Sequence, residues 1–314
     1  FNQDRQHELI FFEAPLNKDT VNLTQGFGAV CVFVNDKVNA QVIDVLAQKG
    51  VKTIALRCAG FNNVDIEAAK ANGIRVCRVP AYSPEAVAEH AVAMMLTLNR
   101  KTNKAYNRVR EQNFSLNGLL GFDVHGKTVG VIGTGNIGKA FCKIMLGFGC
   151  KVLAFDMFAD KEMEALGVVY KPLIEVFAAA DIISLHCPLN EQTKHLINRE
   201  TIALMKQGVM LINTSRGGLI NTKDAIAALK DQQIGYLGID VYEQEDKLFF
   251  KDLSATIIED DTIQRLMSFP NVLITAHQAF FTNEALTQIA SITLNNVQEL
   301  MQTGNLTNKA ALVV

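Results

Sequence analysis

The sequence predicts an α/β protein built from parallel sheets and organised as two domains. Short apolar runs rich in β-branched residues alternate with amphipathic segments almost throughout the chain, a pattern typical of parallel strands joined by helices. The 314 residues are enough for two domains. A content of 49% hydrophobic and 20% charged residues is that of an ordinary globular protein.

The first series of elements precedes residue 82. Its strands are predicted at 9–13, 29–34, 52–56 and 75–79, and its helices at 40–48 and 64–72. The turn at 79–84 ends this series. Ser83 followed by Pro84 is typical of a helix N-terminus, so we expect a long helix from Glu85 to beyond Ala105.

The second series begins near Lys127. Its strands are predicted at 128–132, 152–155, 168–170, 182–187, 209–214, 237–241 and 272–275. A final amphipathic helix over 283–301 is long enough to return to the first series. The sequence therefore predicts that 1–81 and 280–314 form one domain and that 82–279 form the other.

Charge and composition exclude several classes of protein. The net charge of −2 argues against a large surface for nucleic acid or acidic membranes. No apolar run approaches the roughly 20 residues of a membrane-spanning helix, and the first residues show no signal-peptide pattern. Six scattered cysteines without a CxxC pair favour reduced thiols and a cytoplasmic location, and no cluster of Cys and His indicates a metal site.

A glycine-rich turn, 133–138, connects the strand at 128–132 to a helical pattern. Gly133 permits a tight turn, Gly135 lets the backbone approach a pyrophosphate, and Gly138 lets the helix pack on the strand. The helix N-terminus offers N–H groups and partial positive charge to phosphates. The pattern predicts a dinucleotide site, and the alternative is an ordinary strand–turn–helix connection.

Asp156 supplies a second feature of such a site. It follows the strand at 152–155 and lies 18 residues after Gly138, close to the spacing of about 20 that is typical of dinucleotide-binding units. Its carboxylate can accept hydrogen bonds from ribose hydroxyls and would repel a 2′-phosphate. Met157 and Phe158 follow it instead of Arg or Lys. The sequence therefore favours NAD over NADP.

Three polar residues, Arg216, Glu245 and His277, each follow one of the last three predicted strands. The carboxyl ends of parallel strands share one edge of a sheet, so these residues could converge on one crevice. Arg216 could hold the carboxylate of a 2-oxo acid and polarise its ketone oxygen, and His277 could hand that oxygen a proton. Glu245 could hold the other imidazole nitrogen and favour the protonated ring. With a nicotinamide cofactor, this combination predicts hydride transfer.

Each of the three residues also has a structural interpretation. Arg216 alone could be a solvated surface charge, His277 could be a structural histidine, and Glu245 could belong to a solvated acidic loop at 243–246. The combination with the dinucleotide turn favours the functional interpretation. The remaining histidines are weaker candidates: His7 and His195 are expected at the surface, His125 in a loop, His90 packed on the long helix, and His186 beside the cofactor.

Seven stretches match, in order, the motifs of one known family: 55–65, 79–90, 133–138, 184–189, 213–218, 240–245 and 275–280. The chain resembles the NAD-dependent D-2-hydroxyacid dehydrogenases, most closely the bacterial fermentative D-lactate dehydrogenases. The resemblance covers essentially the whole chain. It implies two Rossmann-like or flavodoxin-like parallel-sheet domains with the active-site cleft between them, NAD as cofactor, and a homo-oligomer, either a dimer or a tetramer.

The resemblance also implies residue roles. The family's catalytic residues are matched by Arg216, Glu245 and His277. Its substrate contacts are matched by the backbone N–H groups of Ala59 and Gly60 and by Tyr82, Arg216, His277 and Phe280. Its cofactor contacts are matched by Gly133, Gly135, Asn136, Ile137, Gly138, Asp156, Cys187, Pro188, Thr193, Thr214, Ser215, Arg216 and Asp240.

The implied activity is the reversible reduction of pyruvate to D-lactate by NADH, in which closure of the domains excludes water. Two alternatives remain open at this point: a dehydrogenase for another D-2-hydroxy acid, and an NAD-sensing module of the corepressor type. Family members usually begin with an additional strand and helix before the segment that matches Phe1. We therefore expect the chain to be part of a longer one.

Overall fold

The computed structural model describes residues 1–2 and 7–314, which form two compact units. Unit 1 comprises Phe1–Ser83 and Phe281–Val314, and unit 2 comprises Pro84–Phe280. Each unit contains a parallel sheet, so the predicted α/β class is confirmed. No helix in the described part of the chain combines the length and the apolar character that a membrane span requires.

The strands, in chain order, are β1 (Ala29–Val32), β2 (Thr53–Leu56), β3 (Arg75–Arg78), β4 (Thr128–Ile132), β5 (Lys151–Phe155), β6 (Val169–Tyr170), β7 (Ile182–Leu185), β8 (Val209–Asn213), β9 (Ile234–Ile239) and β10 (Val272–Ile274). The helices are α1 (Ala40–Gln48), α2 (Ile66–Ala71), α3 (Pro84–Arg100), α4 (Thr102–Arg110), α5 (Asn136–Gly147), α6 (Lys161–Ala165), α7 (Leu173–Ala179), α8 (Arg199–Ala203), α9 (Thr222–Lys230), α10 (Asp261–Met267) and α11 (Asn283–Thr303).

Unit 1 contains a three-stranded sheet in the order β1-β2-β3. The central strand β2 is buried along its whole length, as its Thr-Ile-Ala-Leu sequence predicts. Asn39 and Asp65 begin α1 and α2 by accepting hydrogen bonds from the backbone of the first turn. The C-terminal helix α11 packs on this sheet, where Leu300 joins a buried cluster with Ala55 and Cys77.

The predicted strand at 9–13 is wrong. In the described part of the chain this segment does not join either sheet, and its apolar side chains are exposed, with Phe11 exposed by 87%. A strand needs both a paired neighbour and a buried face. Here the apolar run has neither, apart from an edge-on contact between the rings of Phe12 and Phe27.

Unit 2 contains a seven-stranded sheet in the order β10-β9-β8-β7-β4-β5-β6, and every adjacent pair is parallel. The order in which successive strands are added to the sheet reverses at β4: β5 and β6 lie on one side of it, and β7 to β10 lie on the other. Strands β7 and β8 are fully buried, because helices cover both faces of the sheet. Ligands bind such sheets beyond the carboxyl ends of the strands, at this reversal.

The long helix predicted from Glu85 to beyond Ala105 is interrupted at Lys101, which adopts a left-handed φ of +51° and separates α3 from α4. The buried face of α3 ends at Leu98 and Asn99, and α4 buries none of its residues. No buried face therefore extends from α3 into α4 to keep the two segments in one continuous helix. The sequence gives no sign of this break, because Arg and Lys are good helix formers.

Gly130, in the middle of β4, has no room for a side chain. A Cβ there would lie 2.7 Å from Val176 Cγ1 and 3.0 Å from Ala180 Cβ, so α7 packs directly on the strand backbone. By contrast, a Cβ on Gly147 at the end of α5 would meet no atom within 4 Å. These two glycines therefore allow a matched comparison.

We expect Gly130→Ala to lower the free energy of unfolding by about 1–3 kcal/mol, because the extra methyl group overpacks the interface. Gly147→Ala is the control, and it should leave stability unchanged or raise it by up to about 1 kcal/mol. Urea unfolding followed by circular dichroism measures both. A Gly130→Ala protein as stable as the parent would contradict this account of the packing.

Candidate active site

The glycine-rich turn lies between β4 and α5, at the reversal of the sheet. Gly133 has a φ of +93°, and a Cβ there would lie 2.7 Å from the backbone nitrogen of Cys187, which follows β7. A Cβ on Gly138 would overlap the carbonyl oxygen of Gly133. The packing of the protein itself therefore requires glycine at both positions.

Gly135 differs from these two glycines. A Cβ there would meet no described atom within 4 Å, so the protein's own packing does not require glycine. Gly135 begins α5, and no described side chain caps that helix, whose first N–H groups belong to Asn136 and Ile137. A helix start with an open approach and uncapped N–H groups fits the pyrophosphate of a dinucleotide.

Asp156 lies beside this turn at the end of β5. Its Oδ2 accepts hydrogen bonds from Thr134 N at 2.6 Å and Thr134 Oγ1 at 3.2 Å, and its Oδ1 accepts from Phe158 N at 3.1 Å. Tyr170 Oη donates to Thr134 Oγ1 at 3.0 Å, which fixes the hydroxyl. Among the described residues no Lys or Arg pairs with Asp156. The carboxylate is therefore held in place by hydrogen bonds, in an orientation that suits ribose hydroxyls.

Two hydrogen bonds connect predicted cofactor positions: one joins the loops after β7 and β8, and the other lies within the loop after β7. Ser215 Oγ donates to Cys187 O at 2.7 Å, and Thr193 Oγ1 donates to Pro188 O at 2.7 Å. The buried hydroxyl of Thr214 has no hydrogen-bond partner within the described structure. A buried hydroxyl is costly unless it is paired, so this atom also fits a bound group.

His186, predicted to line the site without catalysing, follows β7 and faces the protein interior. Its Nε2 lies 2.9 Å from Ser184 Oγ, and its ring packs against Phe141 at 4.9 Å between centroids. Burial lowers the pKa of His186 to about 3, so the ring is neutral at physiological pH. A ring in this state does not supply a proton.

His277 and Glu245 form a hydrogen-bonded pair. His277 Nδ1 lies 2.9 Å from Glu245 Oε1, and Glu245 Oε2 accepts from the backbone N–H of Tyr242 at 3.0 Å. Both side chains are about four-fifths buried, with 18% and 21% exposed. Because a carboxylate only accepts, Nδ1 carries the hydrogen. Nε2 is then the nitrogen that can exchange a proton with a substrate.

Glu243, two residues before Glu245, has different partners. Its Oε1 lies 2.7 Å from His195 Nε2, and its Oε2 accepts from Thr222 N at 2.9 Å. Burial alone would raise the pKa of Glu243, but hydrogen bonds from Thr222 and His195 outweigh it and lower that pKa. The segment at 243–246 is therefore not simply a solvated acidic loop, and His195 is not a bare surface residue.

Asp240 organises the loop that carries His277. Its Oδ1 accepts from Thr275 Oγ1 at 2.5 Å and Gln278 N at 2.9 Å, and its Oδ2 accepts from Ala279 N at 2.9 Å. Its carbonyl oxygen accepts from His277 N at 2.7 Å. Asp240 is fully buried. The sequence placed this residue among the cofactor contacts, and the structure adds that its carboxylate ties together the backbone around His277.

Arg216 follows β8 and is half-buried. Asn213 Nδ2 donates to its carbonyl oxygen at 2.9 Å, and its own guanidinium donates to Ser215 O at 2.6 Å. The next residue, Gly217, packs so closely on the backbone of Tyr242 that a Cβ would overlap it. The loop of Arg216 therefore contacts the loop that leads to Glu245.

Strands β8, β9 and β10 are neighbours in the sheet, so Arg216, Glu245 and His277 lie beyond the carboxyl ends of adjacent parallel strands. Within unit 2 the structure brings His277 and Glu245 together, and the convergence of Arg216 on the same crevice stays a prediction. The predicted substrate positions Ala59 and Gly60 follow β2 in unit 1. Their contacts with substrate stay a prediction, as do those of Tyr82 and Phe280.

Phe250 is a residue that sequence reasoning missed. Its ring centroid lies 6.0 Å from that of the His277 imidazole, with 36° between the planes, and the ring is 43% exposed. Its backbone has a left-handed φ of +62°, which is unusual for an aromatic residue. The apolar run at 248–250 within a polar loop was the available signal.

The described residues include no cluster of His, Cys, Asp and Glu that could hold a metal ion.

Comparisons with known proteins agree with this geometry. Residues 92–279 match the family model described as "D-isomer specific 2-hydroxyacid dehydrogenase, NAD binding domain". The chain is 54% identical to 2-hydroxyacid dehydrogenase homolog 1 of Schizosaccharomyces pombe over 97% of this chain and 92% of that protein. It is also 54% identical to D-lactate dehydrogenase of Escherichia coli K12, over 95% of this chain and 91% of that protein.

Solved structures give the same result. The apo-structure of Escherichia coli D-lactate dehydrogenase has a TM-score of 0.91 at 50% identity, and the match covers 100% of this chain and 94% of that one. The Aquifex aeolicus D-lactate dehydrogenase complexed with NAD and lactic acid has a TM-score of 0.88 at 35% identity, covering 100% and 95%. The predicted cofactor, NAD, is confirmed by the family match. The chain therefore belongs to the D-isomer specific 2-hydroxyacid dehydrogenases, a family of NAD-dependent oxidoreductases.

Proposed function

We propose that this dehydrogenase catalyses the reversible reduction of pyruvate to D-lactate with NADH. The observation that carries the proposal is the His277–Glu245 pair, 2.9 Å apart, next to strands whose ends also present Arg216. The choice of substrate is supported by D-lactate dehydrogenases among the similar proteins and by a pyruvate reductase of Chlamydomonas reinhardtii with a TM-score of 0.91 at 49% identity.

Each residue of the site has a defined task in this mechanism. Bound NADH supplies the hydride. The guanidinium of Arg216 binds the carboxylate of the 2-oxo acid and polarises its ketone oxygen. His277 donates a proton from Nε2 to that oxygen, and in the reverse direction its neutral ring removes the proton from the hydroxyl. Glu245 holds Nδ1, which fixes the plane of the ring and stabilises the imidazolium.

The remaining assignments follow the same scheme. We propose that 1–81 and 280–314 bind the substrate, through the backbone N–H groups of Ala59 and Gly60 and the side chains of Tyr82 and Phe280. Residues 82–279 bind NAD. The cofactor contacts are proposed at Gly133, Gly135, Asn136, Ile137, Gly138, Asp156, Cys187, Pro188, Thr193, Thr214, Ser215, Arg216 and Asp240. A cytoplasmic location, expected from the scattered cysteines, stays a prediction.

We also propose that the protein is a homo-oligomer. Helix α4 and the segment after it expose large apolar side chains, including Phe114, Leu116 and Leu120 at 72%, 82% and 85%. Clustered apolar exposure of this kind is typical of an interface between subunits. Light scattering coupled to size-exclusion chromatography gives the mass in solution, and a monomer at micromolar concentration would contradict the proposal.

The substrate is tested with a panel of 2-oxo acids. We expect pyruvate to give the highest kcat/KM among unbranched and branched 2-oxo acids in an NADH oxidation assay, with D-lactate as the product in chiral chromatography. Preference for a longer 2-oxo acid would change the substrate assignment. Turnover with none of the panel would favour an NAD-sensing role instead, and L-lactate as the product would contradict the assignment as a D-lactate dehydrogenase.

Glu245 and Glu243 allow a matched test of the acid–base pair. Glu245→Gln removes the charge beside the imidazolium while it keeps the length of the side chain, so kcat/KM for pyruvate should fall by about 10-fold or more. Glu243→Gln makes the same chemical change beside His195, and its effect should stay under about 3-fold. NADH affinity, measured by fluorescence, should be unchanged in both variants. Equal losses of kcat/KM in Glu245→Gln and Glu243→Gln would show that Glu245 stabilises the loop and takes no part in proton transfer.

Asp156 should determine the choice between NADH and NADPH. Its carboxylate accepts from ribose hydroxyls and repels a 2′-phosphate, so the parent should use NADH with much higher kcat/KM than NADPH. Asp156→Ala should lower the ratio of kcat/KM with NADH to kcat/KM with NADPH by about 10-fold or more, mainly because kcat/KM with NADH falls. Steady-state kinetics with both cofactors gives the ratio. A parent that uses the two equally well would refute the assignment.

A further inference from the structure

Helix α3 directs His90 toward the strand ends that carry the site. His90 Nε2 lies 3.1 Å from Thr275 Oγ1 and 3.4 Å from Asp240 Oδ1. The hydroxyl of Thr275 lies 2.5 Å from the same Oδ1. Since an ionised carboxylate only accepts, Thr275 donates its hydrogen to Asp240 and its oxygen accepts from His90. The imidazole therefore carries its hydrogen on Nε2.

The carboxylate at the end of this chain of hydrogen bonds is ionised. Burial alone would raise the pKa of Asp240, but interactions with His90 and Thr275 and hydrogen bonds from two backbone N–H groups outweigh it and lower that pKa. A buried carboxylate is costly unless donors surround it. Thr275 donates to this carboxylate directly, His90 Nε2 lies 3.4 Å from the same oxygen while it donates to Thr275, and the other donors are the backbone N–H groups of Gln278 and Ala279.

The orientation of Asp240 sets the conformation of His277. The backbone of His277 has a left-handed φ of +52°, which costs free energy for a residue other than glycine. This turn is held from both sides, because Asp240 O accepts from His277 N and the Asp240 carboxylate accepts from the next two backbone N–H groups. A rotation of the Asp240 side chain would release the contacts with Gln278 N and Ala279 N that hold this turn.

We propose that His90 is a positioning residue for the dehydrogenase reaction. By donating from Nε2 to Thr275 at the edge of the Asp240 carboxylate, it holds the turn that aims His277 at the substrate. The inference rests on the proposed role of His277 as the acid–base group. An error of about 1 Å in the position of a catalytic group can cost about 100-fold in rate, so a residue that touches no substrate can still control turnover.

Two substitutions at His90 separate positioning from packing. His90→Gln places an amide N–H₂ where Nε2 lies and keeps the donor. His90→Leu fills similar space without any donor. We expect kcat for pyruvate reduction to fall by about 10-fold or more in His90→Leu and by less than about 3-fold in His90→Gln. The NADH dissociation constant should be the same in both, and the Tm of the Leu variant should be no lower than that of the Gln variant.

A double variant, His90→Leu with His277→Gln, distinguishes positioning of His277 from a purely structural role of His90. In His277→Gln the residual rate no longer depends on a well-aimed imidazole, so adding His90→Leu should change it by less than about 2-fold. Equal kcat values for His90→Leu and His90→Gln would overturn the inference. It would also be overturned if His90→Leu lowered kcat by the same factor in the His277→Gln background as in the parent. Failure of the proposed function is distinguishable, because His277→Gln itself would then retain full activity.

Discussion

Burying a full negative charge just after β9 is the constraint on which the site depends. The fully buried Asp240 is satisfied by three separate parts of unit 2: helix α3 through His90, the end of β10 through Thr275, and the backbone just after His277. If any of these segments moved away, the buried carboxylate would lose part of its donor set, and a buried charge is costly unless donors surround it. The demand of one carboxylate for donors therefore fixes the geometry around the proposed acid–base residue.

The parallel sheet supplies the second part of this arrangement. Because every adjacent pair of strands in unit 2 is parallel, all the loops that carry candidate residues leave the same edge. At the reversal at β4, the turn at Gly133 packs against the loop after β7, where several of the proposed dinucleotide positions lie. Neighbouring strands β8, β9 and β10 present the polar residues. The fold thus places the proposed dinucleotide positions and the proposed acid–base pair at the same edge of one sheet.

Local patterns in the sequence were enough to predict much of this arrangement. The glycine turn and Asp156 lie where the spacing placed them, and the strand at 128–132 agrees residue for residue with β4. The pairing of His277 with Glu245 also agrees with the prediction. These features depend on strand ends and turns, whose positions follow from short-range periodicity and backbone sterics.

The failures have a different origin, because they depend on contacts that periodicity does not encode. The apolar run at 9–13 lacks a partner strand, and the helix break at Lys101 follows from the end of a buried face. The tilted ring contact between Phe250 and His277 depends on a left-handed residue in an irregular loop. The donor role of His90 depends on its distance from Thr275, which is 185 positions away in the sequence. Such pairings become visible only when the tertiary structure is known.

The two acidic residues after β9 have a consequence for how this loop can change in related proteins. Glu243 and Glu245 serve different histidines, His195 and His277, although a single residue separates them. Inserting or deleting one residue here would shift both carboxylates and deprive each histidine of its own partner, whereas exchanging Gln244 for another polar residue preserves both pairings. The stretch from Tyr242 to Glu245 is therefore constrained in length more strictly than in composition, and insertions and deletions among homologues should fall outside it.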